Sequence, residues 1–278
     1  MLLGYNTNGF AHHDLVDAID VLAEIGYQSV AITLDHHSLN PYSPDFAEQL
    51  TRVAGCLRRH GMRSVIETGA RFLLDARVKH EPTLLTADAD RRQVRVGFLR
   101  HAIETAAALG SDCVSLWSGI LRDDVPEDEA TERLLASLAP VVEHAASMGV
   151  TLGFEPEPGM FIDTMERFRA LSEKLNSPNF RLTLDVGHLH CQGESSIADQ
   201  VSQWAEQIVN VHIEDMRAGV HEHLMFGEGE IDFGPILRAF HHSKHNGGLH
   251  VELSRHSHNA PAAAARAYEF LTEAARMI

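Results

Sequence analysis

Short runs of apolar and β-branched residues recur along the chain, and an amphipathic stretch follows most of them. Within the runs the apolar residues are consecutive, as at 30–32 and 182–184. Strands that are buried on both faces of a parallel sheet have this pattern. We therefore predict eight strands, at residues 2–5, 29–34, 63–67, 113–117, 151–155, 181–185, 209–213 and 250–253.

Helical windows lie between and after these strands, at residues 15–25, 46–59, 94–109, 132–148, 165–175, 197–204, 235–242 and 262–277. Several are followed by a glycine, which suits the left-handed residue that ends many helices; these are Gly26, Gly61, Gly110, Gly149 and Gly247. The strand–helix unit repeats about every 35 residues, and eight such units predict an α/β fold, the (β/α)₈ TIM barrel. A doubly wound open sheet is the alternative, but it usually has fewer strands. Because no linker divides the chain, residues 1–278 are predicted to form a single domain.

The amino-acid composition excludes or disfavours several classes of protein function. Acidic residues outnumber basic ones by 39 to 23, and the net charge of −16 argues against nucleic-acid binding. Three scattered cysteines without a CxxC pair favour a reducing compartment. We see no secretory leader and no apolar run of about 18 residues, so we expect a cytoplasmic protein that does not span a membrane. None of the three lysines lies in a predicted strand, which disfavours Schiff-base chemistry.

Barrel enzymes carry their chemistry at the carboxyl ends of the strands. The last four predicted strands place Glu155, Asp185, His212 and Glu252 at that rim. A single acid there is most often a helix cap or an ion-pair partner, but three converging carboxylates repel one another unless a cation or protons hold them. Together with the imidazole they suit one divalent metal ion, with Mn²⁺ favoured and Mg²⁺, Zn²⁺ or Co²⁺ as alternatives.

With these motifs the chain resembles the xylose isomerase-like barrel superfamily, which includes sugar isomerases, ketose 3-epimerases, inosose dehydratases and endonuclease IV. The matching elements are Glu155, the Asp185-x-x-His188 pair, residues 211–215, the turn at 227–232, and Glu252 after Val251. The resemblance implies that the four strand-end residues are metal ligands. It also implies that Glu155 and Glu252 move protons on the two faces of a carbon beside a carbonyl, through an enediolate.

Six further residues are predicted to contact the substrate: His188, Arg217, Glu157, Glu67, Trp117 and His223. His188 would hydrogen-bond the substrate or stabilise the enediolate. Arg217 lies five residues after His212 and would bind a hydroxyl or carbonyl group; the alternative is a surface ion pair with Asp215 or Glu214.

Other candidates have equally plain alternatives. Glu157 is a substitute for Glu155 as a ligand, because either carboxylate of the Glu-Pro-Glu-Pro segment could face the rim. Trp117 would stack on the apolar face of a sugar ring or simply pack in the barrel. A loop from 68 to about 88 is predicted to lie over the site, where its basic residues could bind the phosphate or carboxylate group of a substrate. The alternative is that this segment is a solvated loop or a dimer contact.

His221 and His223 lie just before the 227–232 turn. The resemblance to endonuclease IV implies zinc ligands in this region, so these two residues and His188 could hold a second metal or line the pocket. Glu67 and Trp117 occupy places where that enzyme has histidine ligands, which argues against a full three-zinc cluster.

The predicted function is a metal-dependent isomerase or epimerase. Its partner would be a small polyhydroxylated carbonyl compound such as a ketose, an inosose or a sugar phosphate, with no nucleic acid and no membrane involved. The alternatives are an inosose dehydratase-like lyase on the same metal site, an endonuclease IV-like zinc phosphodiesterase and a non-catalytic binding barrel. Similar barrels form homodimers or homotetramers, and both states stay open here.

Overall fold

A closed barrel of eight parallel strands forms the core of the computed structural model, which describes residues 1–194 and 196–277. Its strands are β1 (Leu2–Asn6), β2 (Ser29–Thr33), β3 (Arg63–Glu67), β4 (Val114–Leu116), β5 (Leu152–Phe154), β6 (Phe180–Asp185), β7 (Ile208–Ile213) and β10 (Gly248–Val251). Strands that follow one another around the barrel are hydrogen-bonded, and β10 closes it against β1. The predicted (β/α)₈ TIM barrel is confirmed.

Nine α-helices connect or follow these strands in the described residues: α1 (Leu15–Ile25), α2 (Phe46–His60), α3 (Ala89–Leu109), α4 (Glu127–Met148), α5 (Met165–Leu175), α6 (Val186–Cys191), α7 (Ile197–Trp204), α8 (Phe233–His242) and α9 (Ala260–Arg276). Both α3 and α4 begin five residues before their predicted starts. Asp88 caps α3 by accepting from the amides of Asp90 and Arg91. α4 follows Pro126 with three acidic residues in its first turn.

Some predicted details are wrong. Four of the five glycines do end helices in the left-handed conformation, but α8 ends before Ser243, so Gly247 is no helix cap. The short helix α6 was not predicted; Asp185 Oδ1 starts it by accepting from the His188 amide at 2.7 Å. Also unpredicted is an antiparallel hairpin of β8 (Asp215–Arg217) and β9 (Val220–Leu224), which is separate from the barrel sheet.

A buried carboxylate joins this hairpin to the turn that follows it. Asp215 accepts from the amides of Met216 at 2.9 Å, Gly227 at 2.8 Å, Gly229 at 3.0 Å and Ile231 at 3.1 Å. Only 1% of Asp215 is exposed. The carboxylate therefore satisfies donors of the 227–232 turn that have no partner in a strand or helix.

A polar chain crosses the barrel interior beside the rim. His250 Nδ1 lies 2.8 Å from Asn210 Oδ1, and its Nε2 lies 2.9 Å from the Ser29 hydroxyl. Burial lowers the pKa of His250 to about 3, so the ring is neutral: Nδ1 donates to Asn210 and Nε2 accepts from Ser29. The ring fits because Gly4 has no side chain; a Cβ there would lie 2.3 Å from His250 Cδ2.

The structure can be compared with two expectations from the sequence, that the cysteines form no disulfide framework and that no helix spans a membrane. Cys56, Cys113 and Cys191 are all free thiols. Among the described residues, no helix is both long and apolar enough to cross a bilayer.

Candidate active site

The four strand-end residues meet at the carboxyl-terminal rim of the barrel. Glu155 directly follows β5, Asp185 ends β6, His212 lies in β7 and Glu252 directly follows β10. In the barrel register His212 pairs with Asp185 on one side and with His250 on the other. One ligand atom from each of the four lies within 4.8 Å of the other three.

The imidazole of His212 is the centre of this group. Its Nδ1 lies 2.9 Å from Glu155 Oε1, 2.9 Å from Glu252 Oε2 and 3.8 Å from Asp185 Oδ2. On the other edge of the ring, Nε2 lies 2.9 Å from Glu67 Oε1, which also accepts from the Asn210 amide at 3.0 Å. Glu67, predicted as a substrate contact, therefore also supports the far side of the imidazole.

Burial and mutual charge perturb the acid–base properties of the group. Burial raises the pKa of Glu155 to about 8 against the opposing effect of His212. Burial also acts to raise the pKa of Glu252, but the charge and hydrogen bond of His212, together with the charges of His223 and His188, outweigh it and hold that pKa below the usual range. For His212, burial is outweighed by Glu155, Glu67 and Glu252, and the pKa is raised well above normal.

The donor set fits a divalent cation. Asp185 Oδ2 is buried and accepts no hydrogen bond from any described residue. A buried carboxylate oxygen without a partner is costly, and a bound cation would remove that cost. Three carboxylates and one imidazole are also the ligand types that Mn²⁺, Mg²⁺, Zn²⁺ and Co²⁺ accept. Glu157 lies nearby but is not a member of the four-residue group.

A cavity of about 290 Å³ opens onto these residues. Five of the six predicted substrate contacts line it: Glu67, Trp117, Glu157, His188 and His223. The loop after β3 forms another wall, to which Gly69, Arg71, Lys79 and His80 contribute. The loop predicted at 68 to about 88 therefore contributes one wall of this cavity.

Arg217 does not line the cavity. It ends β8, it is exposed, and its Nη2 donates to the carbonyl oxygen of Glu228 at 3.0 Å. The unpredicted hairpin explains the difference, because the chain leaves the barrel sheet after β7 and runs into β8. The structure does not support the predicted contact between Arg217 and a substrate.

Three histidines form a second cluster beside the first. His188 comes from α6, while His221 and His223 are two residues apart on β9 and so share one face of the strand. The Nε2 atoms of His188 and His221 are 3.0 Å apart, and the three rings have one ligand atom each within 4.8 Å of the others. The structure thus brings together the residues predicted as a second metal site or pocket wall.

Glu214 is a residue that sequence reasoning missed as part of the site. It is fully buried, lies 3.9 Å from His223 Nδ1, and makes no side-chain hydrogen bond to a described residue. Burial acts to lower the pKa of His223, but Glu214 and Glu252 outweigh it and raise that pKa to about 10. The signal in the sequence was an acid directly after β7. A Cβ on Gly187 would lie 2.0 Å from Glu214 Oε1, so this packing requires glycine.

Asn8 was also missed. It lies in the 3₁₀ turn Thr7–Phe10 after β1, and its Nδ2 donates to Glu252 Oε1 at 2.7 Å. The amide therefore orients one of the two central carboxylates. A polar residue two positions after the end of β1 was the available signal.

Comparison with known proteins gives the family. A family model described as the xylose isomerase-like TIM barrel matches residues 19–274. The chain belongs to this family. One relative is the uncharacterized protein MJ1311 of Methanocaldococcus jannaschii, which is 28% identical over 171 residues, or 58% of this chain and 57% of that protein. The match thus spans less than two thirds of that relative's length. Another is the L-ribulose-5-phosphate 3-epimerase UlaE of Escherichia coli, 25% identical over 203 residues, or 73% of this chain and 71% of the relative.

Solved structures show the same barrel fold. A D-tagatose 3-epimerase-like protein superposes with a TM-score of 0.81 at 21% identity, covering 100% of this chain and 98% of the other. The IOLI protein, solved with a bound zinc atom, gives a TM-score of 0.78 at 18% identity over 100% of this chain and 99% of the other. At these identities the likeness establishes the fold alone.

Proposed function

We propose that this xylose isomerase-like barrel is a divalent-metal-dependent epimerase or isomerase of a small polyhydroxylated carbonyl compound. A ketose, an inosose or a sugar phosphate fits the class. The relatives support this class, since they include an L-ribulose-5-phosphate 3-epimerase.

One observation carries the proposal. Glu155 and Glu252 come from strands on opposite sides of β7, and each has an oxygen 2.9 Å from Nδ1 of His212. Both carboxylates line the same cavity. Two carboxylates that approach one point from two sides are what a proton transfer on both faces of a carbon requires.

The chemistry divides between the metal and the chain. Glu155, Asp185, His212 and Glu252 would hold the ion, which when bound supplies the positive charge that acidifies a C–H beside the substrate carbonyl. One of the two glutamates then takes the proton from one face of that carbon. The other glutamate delivers a proton to the opposite face, so the configuration inverts. Asn8 holds Glu252 Oε1 at 2.7 Å and thereby orients its carboxylate.

The other cavity residues would bind the rest of the substrate. Trp117 offers an apolar face for a sugar ring, and Glu157 and His188 offer hydrogen bonds to hydroxyl groups. His221 and His223 would either extend this hydroxyl-binding wall or, with His188, hold a second metal ion.

The first test joins metal analysis to an exchange assay. Protein purified without added metal is expected to bind about one divalent ion per chain. The metal-loaded protein is then incubated in D₂O with a panel of ketoses, inososes and their phosphates. We expect solvent deuterium to appear beside the carbonyl of the substrate together with its epimer or isomer, detected by NMR.

Glu252→Gln is expected to lower turnover by about 10³-fold or more while the circular dichroism spectrum is unchanged. The matched control is Glu228→Gln, since Glu228 pairs at 3.1 Å with Arg266 on the surface. Full activity in Glu252→Gln would overturn the proton-transfer assignment. Loss of water from the substrate would identify the lyase alternative instead. Two or three zinc ions per chain with cleavage of abasic DNA would identify the phosphodiesterase alternative.

A further inference from the structure

A buried arginine lies behind the cavity, outside the residues assigned to the site. Arg95 is on α3, and only 2% of it is exposed. Its three guanidinium nitrogens each donate to a different backbone carbonyl: Nη1 to Thr68 at 3.0 Å, Nη2 to His80 at 2.6 Å and Nε to Pro82 at 2.7 Å. All three acceptors belong to the loop at 68–88 that covers the mouth of the site.

The three hydrogen bonds of Arg95 bring together the two ends of the segment 68–82, which is the first part of that loop. Thr68 directly follows β3, and His80 and Pro82 lie at the far end of the segment. Between them run Gly69, Arg71 and Lys79, which together with His80 form the loop wall of the cavity. His80 Nδ1 also lies 2.6 Å from the Gly69 carbonyl oxygen, which closes the same segment a second time. The path of this wall therefore depends on the position of the guanidinium.

Arg95 also touches Trp117, a cavity-lining side chain next to the loop wall. Its guanidinium carbon lies 5.0 Å from the centre of the Trp117 ring, within cation–π distance. The His80 ring meets the same indole edge to face, with ring centres 5.4 Å apart. One side chain thus holds both the loop wall and the aromatic wall.

The residue type fits this task. A guanidinium offers five donors in a rigid planar fork, whereas an ammonium is a compact point charge that cannot match three carbonyls fixed in different directions. Burial lowers the pKa of Arg95 to about 10, so the side chain is still charged at neutral pH. No carboxylate of the described residues forms an ion pair with Arg95. Its hydrogen bonds are directed to the loop.

We propose that Arg95 is a positioning residue, which fixes the cavity wall formed by Lys79, His80 and Trp117 in its substrate-binding geometry. Its effect on catalysis rests on the proposed function, but its effect on the loop does not. The residue touches neither the metal ligands nor the proton-transfer pair. Its loss is therefore expected to raise KM more than it lowers kcat.

The experiment compares Arg95→Lys and Arg95→Met with the control Arg133→Met. Arg133 is also mostly buried, and it donates to the carbonyl oxygen of Leu85 in the same loop at 3.0 Å. Neither Arg133 nor Leu85 lines the cavity, so this contact holds a part of the loop that is not in the cavity wall. All variants carry Trp204→Phe, so that Trp117 is the only tryptophan and its emission reports the wall. Every measurement is made well below the unfolding midpoint of the least stable variant.

Two readouts need no substrate. Trypsin cuts after lysine and arginine, and the wall segment contains Arg71, Arg77 and Lys79. Both Arg95 variants are expected to be cut in this segment about tenfold faster than the parent protein, and to shift the emission of Trp117. The control should do neither. With a substrate from the panel, KM is expected to rise about tenfold while kcat changes less than about threefold.

The outcomes separate the two proposals. Equal cleavage rates and emission in Arg95→Met and Arg133→Met would overturn the positioning role, whatever the protein catalyses. A released loop without a change in KM would also overturn it, while leaving the epimerase proposal intact. If Arg95→Met does not fold, Arg95→Lys decides alone, because it keeps the charge and removes the fork. Loop release in a protein that turns over no carbonyl substrate would refute the proposed function and not the positioning of the loop.

Discussion

The buried carboxylate of Asp215 allows a quantitative test of how the rim beside the site is built. Oδ1 accepts from the amides of Met216 and Ile231, and Oδ2 accepts from those of Gly227 and Gly229. The substitution Asp215→Asn replaces one oxygen by an NH₂ group, which cannot accept. The new NH₂ group takes the position of Oδ2, because the Met216 contact at Oδ1 is the one fully buried contact of the four. The amides of Gly227 and Gly229 then lose their acceptor and face another donor.

The expected cost follows from these contacts. A buried N–H that loses its acceptor destabilises a protein by about 1–3 kcal/mol, so two such groups cost about 2–6 kcal/mol. Because the two lost contacts are only partly buried, we expect a loss of about 3 kcal/mol in the free energy of unfolding. That is a large share of the stability of a typical domain, about 5–15 kcal/mol.

Urea unfolding of the wild-type protein, Asp215→Asn and the control Asp232→Asn measures the effect. Asp232 caps α8 by accepting from the Gly234 amide at 3.1 Å, and asparagine caps helices about as well as aspartate. The control should therefore be almost neutral. If Asp215→Asn lies within about 1 kcal/mol of the control, the four contacts do not stabilise the turn as argued. Gly229→Ala, whose Cβ would lie 2.2 Å from Asp215 Oδ1, should cost a similar amount and combine non-additively with it.

Two further predictions concern metal and pH. Mn²⁺ at about 100 times its dissociation constant should raise the free energy of unfolding of the wild-type protein by about 2.7 kcal/mol, as measured by urea unfolding. The same addition should not stabilise Asp185→Asn. An equal response in the two proteins would place the metal elsewhere. Burial, helped by the charges of Lys79, Arg95 and Arg71, lowers the pKa of His80 to about 4. Its stabilisation is thus complete above the unfolded value of about 6.5 and is lost as the pH falls toward about 4. His80→Gln should reduce the stability loss between pH 7 and 5 by about 2 kcal/mol, and an unchanged loss would count against a neutral buried ring.

The barrel and the four residues at its strand ends could be predicted from the sequence, because both follow from short-range pattern. Consecutive apolar residues mark buried strands, and a polar residue that ends such a run must lie at the rim. Glu155, Asp185, His212 and Glu252 were found in this way. Their common point could be predicted without any knowledge of the loops, because parallel strands end on one side of a barrel.

The parts that were missed depend on contacts between distant residues. The hairpin of β8 and β9, which carries Arg217 away from the cavity, is short and partly exposed. The pairing of its two strands and the hydrogen bonds of Asp215 hold it in place, and neither produces a periodic pattern in the sequence. The same holds for Glu214, whose burial depends on the missing side chain at Gly187. Arg95 did leave a signal that was overlooked: it shares the buried face of α3 with Leu99 and Ala102, where an arginine is out of place.

The hairpin of β8 and β9 has an evolutionary consequence. Glu155 and Glu252, the proposed proton-transfer pair, lie at the ends of barrel strands, so changes at their backbone disturb the whole sheet. His221 and His223 reach the same cavity on a hairpin with its own two-stranded sheet. Insertions, deletions or substitutions there alter one wall of the cavity and leave the strands intact. Changes confined to the hairpin can thus alter which compounds fit the cavity while the residues at the strand ends stay in place.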